Sequence, residues 1–116
     1  MNNRRKGRGY EQRAEAYLNS QGYSIIELNW QASHKEIDLI ARIDDTIVFV
    51  EVKGSSTGQF GHPAERVDRK KRENLLAAAE QYIAGHDLKG CDFRMDLITI
   101  YEGRLEHYPD AFQYDE

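Results

Sequence analysis

Apart from Arg42 near the turn between them, four ionisable residues sit in two neighbouring segments otherwise built for a protein interior: Glu36 and Asp38 in "EIDLIARI", Glu51 and Lys53 in "TIVFVEVK". Both segments are rich in β-branched and large apolar residues, so they read as strands over 36–43 and 46–53, joined by a turn at Asp44-Asp45. Side chains two apart share a strand face. Glu36, Asp38, Ile40 and Arg42 therefore share one face of the first strand, and Ile47, Phe49, Glu51 and Lys53 one face of the second. A two-residue hairpin turn sets Asp38 opposite Glu51 and Glu36 opposite Lys53, with Cβ atoms about 5 Å apart. The other face is apolar: Ile37, Leu39, Ala41 and Ile43 against Val48, Val50 and Val52.

On this register Glu36 and Lys53 can form an ion pair, whereas Asp38 and Glu51 repel each other. Burying two carboxylates side by side is costly unless positive charge lies between them. A divalent cation resolves the conflict, and an all-oxygen donor set with few protein ligands suits Mg²⁺ or Mn²⁺. Two other arrangements satisfy the same residues: acids at a solvated sheet end, or Arg and Lys drawn in from elsewhere. Glu11 lies about 20° from Leu18 around a helix axis, at the margin of a buried stripe, where it can reach a sheet or simply complement the helix dipole.

The elements that must position these groups follow from periodicity. Tyr10, Ala14, Tyr17, Leu18 and Gln21 form one side of a helix over 9–20, with Gly22 as its stop. "YSIIELNW" reads as a strand over 23–30. "GSSTGQFGHP" is a glycine-rich loop directly after the second charged strand, and Pro63 opens a helix running to Ala84. That helix turns Val67, Lys71, Leu75, Ala78, Ala79, Tyr82 and Ile83 inward. "CDFRMDLITIY" is a further strand, and Glu102-Gly103 turns it into a terminal edge strand, "RLEHY". The order α-β-β-β-α-β-β predicts a single α/β domain: a mixed central sheet flanked by helices.

The chain has 116 residues, enough for one hydrophobic core. It has no apolar run near the roughly 20 residues of a membrane span, and its basic start lacks the apolar stretch of a secretory signal. One cysteine, Cys91, excludes an internal disulfide and a cysteine-based zinc site. Cytoplasmic residence without membrane association is expected. The formal net charge is −4, yet the basic residues cluster: Arg4, Arg5, Lys6, Arg8 and Arg13 at the start, and Arg66, Arg69, Lys70, Lys71 and Arg72 in the middle. Local field governs phosphate binding more than net charge does, although such runs also serve as ordinary solvated helix faces. Residues 1–8 read as a flexible basic arm.

Asp38 followed by Glu51-Val52-Lys53 resembles the signature of the PD-(D/E)XK nucleases, whose fold is that of restriction endonucleases. A larger part of the chain, from about Gly9 to Phe112, resembles the YraN-like proteins, uncharacterised protein family 0102, related to archaeal Holliday-junction resolvases. Gly9, Glu11, Ala14, Tyr17 and Leu18 carry the match in the first helix. Gly22, Tyr23 and Asn29-Trp30 carry it in the next strand, "EIDLIA" and "FVEVK" in the core. Gly61, Pro63, Val67, Lys71, Asp96 and Ala111-Phe112 complete it. Lys35 departs from the glycine usual before Glu36.

The resemblance implies a restriction-endonuclease-like fold and a metal-dependent nuclease, with structured or branched DNA as one substrate class. Asp38, Glu51 and the Val52 carbonyl would hold Mg²⁺ or Mn²⁺. Lys53 would orient or deprotonate the attacking water, or stabilise phosphate charge, with Glu11 and Glu36 as auxiliary acids. Arg8, Arg69, Lys70, Lys71 and Arg72 would bind nucleic acid, and the loop over 54–61 would close over it. The chain would form a homodimer. Two other functions remain open from the residues: a nucleic-acid-binding module or adaptor that does not cut, and a purely structural or protein-interaction domain.

Overall fold

The computed structural model describes residues 3–33, 35–55 and 69–112, with side chains from Gly9 onward. Helix α1 (Asn3–Ser20) leads into three antiparallel-connected strands, β1 (Ser24–Ala32), β2 (Lys35–Ile43) and β3 (Thr46–Ser55). Helix α2 (Arg69–Gly85), β4 (Asp92–Tyr101) and β5 (Arg104–Tyr108) complete the order. The sheet is ordered β1-β2-β3-β4-β5. Strand β3 pairs with β4 in parallel, and every other neighbour is antiparallel. A parallel pair needs a long crossover, and the chain between β3 and β4 carries α2.

Strand β3 is central because both its faces are apolar. Val48 and Val50 pack with Leu39 and Ile98 against Ala14 and Leu18 of α1. Ile47 and Phe49 pack with Ile40, Met95 and Leu97 against Leu75, Ala78, Ala79 and Tyr82 of α2. One helix thus covers each face, giving a single α/β domain consistent with the restriction-endonuclease-like class. Among the described residues, no helix is long and apolar enough to cross a membrane.

The punctuation read from the sequence is present. Gly22 has φ 92°. The Gly22 N–H donates to Asn19 O at 3.2 Å and the Tyr23 N–H to Leu18 O at 3.0 Å, the paired bonds of a Schellman cap. Ile43 pairs with Thr46 across Asp44-Asp45. Glu102 and Gly103 both have positive φ, as a two-residue type I′ turn requires. Ala32 pairs directly with Lys35, so the chain reverses tightly there without a glycine before Glu36. Cys91 is a free, half-buried thiol packed at the edge of the α2-side core.

Some expectations need correction. Helical backbone begins at Asn3, not Gly9, and β1 extends to Ala32 rather than ending at Trp30. Gln21 follows the helix end and is exposed. Ile37 joins the α2-side cluster with Ile40, not the α1-side cluster with Leu39. Between the Leu28↔Leu39 and Trp30↔Ile37 pairs the register sets Asn29, with φ 50°, opposite Asp38. Arg8's side chain, His34, residues 56–62, Pro63, Arg66 and Val67 lie outside the described residues.

The C-terminal strand is held by one buried acid. Asp96 is fully buried. Arg94 donates to its Oδ1 and Oδ2, both at 2.8 Å, and the Asp110 N–H to Oδ1 at 3.0 Å. His107 Nε2 donates to Oδ2 at 2.6 Å, which leaves Nδ1 to accept from the Tyr17 hydroxyl at 3.0 Å. Burial raises the Asp96 pKa, but these donors outweigh it and hold the carboxyl below the usual range. The cluster joins β4, β5 and the segment after β5 to α1. Asp96→Ala strands a guanidinium and an imidazole, so it should destabilise the protein by about 3–5 kcal/mol in urea unfolding. A loss below about 1 kcal/mol would show that the network contributes little.

Candidate metal centre

The β2–β3 ladder runs from Ile43↔Thr46 to Leu39↔Val50 and then stops, although both strands continue. Beyond Leu39, β2 stays with β1, pairing Ile37 with Trp30 and Glu36 with Gln31. Asp38 stands at the fork. Its Oδ2 accepts the Val52 N–H at 2.9 Å, taking the place of a main-chain acceptor. The expected register therefore holds up to Leu39, but Glu36 is not opposite Lys53. Gln31 Nε2 donates to Glu36 at 3.0 Å instead, and Lys53 pairs with Glu51 at 3.5 Å.

Three carboxylates converge on the α1 side of the fork. One oxygen each from Glu11, Glu36 and Asp38 lie within 4.8 Å of one another. Glu11 arrives from α1, whose Tyr10 ring lies flat against Gly54 of β3 where any Cβ would collide with it. Asn29 bridges two of the acids. In the amide orientation that satisfies its neighbours, it donates to Glu11 Oε1 at 2.6 Å and to Glu36 Oε1 at 2.7 Å. Its left-handed backbone is one that asparagine tolerates better than most residues.

Glu51 and the lysines lie towards α2. Glu51 is only 5% exposed, and its Oε1 meets two ammonium groups, Lys71 Nζ at 3.3 Å and Lys53 Nζ at 3.5 Å. Lys71 reaches it because it lies one helical turn before the buried Leu75, on the inward stripe of α2. Arg69 and Lys70 are exposed and Arg72 half-buried. Arg69 pairs with Glu73 at 3.1 Å.

The electrostatics divide accordingly. Burial, then the Glu51 charge, push the Asp38 carboxyl up to about 8; Glu11 and Glu36 add to this and the Val52 N–H opposes it. Burial, then Lys71, lower the Lys53 pKa, with Glu51 opposing. Burial also disfavours charged Lys71, but Glu51 and its other neighbours hold its pKa above the ordinary value. The donor set fits a hard divalent cation: clustered carboxylate oxygens and no sulfur or imidazole among them.

Comparison with known proteins places this architecture. A family model described as "Uncharacterised protein family UPF0102" matches residues 10–100. The chain belongs to the UPF0102 family. A UPF0102 protein of Clostridioides difficile (strain 630) is 42% identical over 114 residues, covering 97% of this chain and 100% of the relative. One from Sulfurihydrogenibium sp. (strain YO3AOP1) is 37% identical over 115 residues, 99% and 100% of the two chains. One from Myxococcus xanthus (strain DK1622) is 34% identical over 113 residues, 94% and 90%.

In this UPF0102 chain, sequence spacing set Asp38 opposite Glu51 and drew Lys53 to the same strand face, with Glu11 and Glu36 as further acids. The three acids that converge are Glu11, Glu36 and Asp38, and Glu51 is engaged by lysines. Spacing also gave Asn29 no role, although a lone asparagine among β-formers signals a backbone irregularity. Val52 contributes its N–H to Asp38.

The Asp38 shift has a direct consequence for stability. The carboxyl's ordinary value is 3.8 and its folded value about 8. Between them the folded state holds a proton that the unfolded chain has released, so stability falls as pH rises. The contribution is fully present below pH 3.8 and lost by about pH 8. In chelator, the urea midpoint should therefore fall from about pH 5 to about pH 8, and Asp38→Asn should flatten that slope. Identical slopes in both proteins would show that Asp38 ionises normally.

Proposed function

We propose that this chain is a metal-dependent nuclease that hydrolyses phosphodiester bonds in nucleic acid, with structured or branched DNA as the favoured substrate class. One observation carries the reading: Glu11, Glu36 and Asp38 converge within 4.8 Å beside a nearly buried Glu51 that is flanked by two lysines. Acids to hold a divalent cation and ammonium groups to meet a phosphate thus adjoin each other. The resemblance of Asp38 and Glu51-Val52-Lys53 to the nuclease signature supports it.

Asp38, with Glu11 and Glu36, would hold Mg²⁺ or Mn²⁺, and Glu51 and the Val52 carbonyl would complete the protein's share. Such a cation supplies Lewis acidity and lowers the pKa of bound water. The chain's own residues do the rest. Asn29 fixes the carboxylates of Glu11 and Glu36. The Val52 N–H orients Asp38. Lys53, held on Glu51, would donate to a non-bridging phosphate oxygen as the ammonium, or would take the proton of the attacking water as the neutral amine that its lowered pKa favours. Arg69, Lys70 and Arg72 at the start of α2 track the phosphate backbone, a role the resemblance gives to Arg8 as well.

A second reading is a nucleic-acid-binding module that does not cut. It is favoured by Glu51, which the lysines already neutralise without any metal. Incubating structured DNA and RNA substrates with Mg²⁺ or Mn²⁺ separates the two. On the nuclease reading, Asp38→Ala and Lys53→Ala each lower cleavage roughly 100-fold or more while circular dichroism stays unchanged. Salt-sensitive binding that survives Asp38→Ala, with no cleavage by the wild type, establishes the module instead. Equal cleavage by all three proteins identifies a contaminant.

A further inference from the structure

Glu51 presents a puzzle that the nuclease reading does not resolve. A carboxylate this deeply buried needs a cationic partner, and Glu51 has two on one oxygen. A divalent cation shared by Asp38 and Glu51 would have to approach that carboxylate against both ammonium charges.

The two lysines are not equivalent. Lys53 lies two residues from Glu51 on the same strand and face, and its side chain is 26% exposed. Lys71 comes from α2, and its side chain is 44% exposed. A lysine is a point charge on a flexible stem, able to swing without moving its backbone. Arg69 and Lys70 beside it face solvent, so an approaching phosphate backbone meets this end of α2.

We propose that Lys71 is the chain's resident counter-ion for Glu51, and that a nucleic-acid phosphodiester draws Lys71 away and so opens Glu51 to the divalent cation. This rests on the metal-centre reading above and adds regulation to it. Metal and nucleic acid then bind cooperatively through one movable side chain. By linkage, each must tighten the other by the same factor. The arrangement also keeps the centre incompletely loaded until substrate arrives.

The test is calorimetric titration of MnCl₂ into the full-length protein, alone and with a short phosphorothioate-linked DNA duplex that resists cleavage. Wild type should bind Mn²⁺ at least about 5-fold more tightly with the duplex present. Lys71→Met should bind Mn²⁺ more tightly than wild type in the absence of DNA, and most of the enhancement by DNA should disappear. Lys71→Arg keeps the charge and should behave as wild type on both counts, which a merely structural role for the side chain does not require. Lys71→Met binding Mn²⁺ no more tightly than wild type, or keeping the full enhancement by DNA, overturns the proposal. Mn²⁺ binding that is absent from wild type, or equal in wild type and Asp38→Ala, instead overturns the metal-centre reading, and this inference falls with it.

Discussion

The site depends on a single hydrogen bond, from the Val52 N–H to the Asp38 carboxylate. It stands where the β2–β3 ladder gives out. A side-chain oxygen does there what a main-chain carbonyl does along the rest of the hairpin. The backbone donor stays satisfied, as a half-buried N–H must be, and β2 is released to follow β1. The fork between the strands is therefore made by the same atom group that gives the site its central acid. Asparagine in place of Asp38 removes the charge but keeps an oxygen to accept the Val52 N–H, so it separates the local hydrogen bond from the ionised carboxylate.

Around that fork the charges are sorted by helix. The element on one face, α1, brings an acid, Glu11. The element on the other face, α2, brings a base, Lys71. The central strand β3 lies between them and is apolar up to Val50, so both helices dock by ordinary hydrophobic burial. Docking energy and polar chemistry are in this way separated along each element: the apolar stripe of each helix fixes position, and a polar residue about one turn before that stripe, Glu11 or Lys71, enters the site. The Asp96 cluster, on the α1 face further along β4, supports the same plan by tying β5 to that strand and to Tyr17 of α1.

Much of this was legible in the sequence, because alternation and punctuation are local. The charged ends of two apolar strands, the Asp44-Asp45 turn, the Gly22 stop, the inward stripe of α2 and the edge strand after Glu102-Gly103 all emerge as the residues require. What stayed hidden was long-range or irregular. The trio of Glu11, Glu36 and Asp38 depends on where α1 lies against the sheet, and no spacing within one element states that. The fork at Asp38 breaks the period-two rule on which the expected Glu36–Lys53 pairing rested. Asp96 was visible as an acid inside an apolar strand with Arg94 two residues away on the same face, but its partners His107 and Asp110 come from places that only the folded sheet brings together.

Gly54 shows how thin the margin of this assembly is. The Tyr10 ring occupies the space a side chain there would need, and Tyr10 immediately precedes Glu11. The contact therefore works as a fulcrum: bare backbone at one point of the sheet rim sets how far the neighbouring helix leans, and the next residue of that helix is the acid. Precision at the centre is thus borrowed from a residue with no functional group at all. Evolution can retune the reach of that acid by reshaping an aromatic–glycine seat, leaving every charged group untouched.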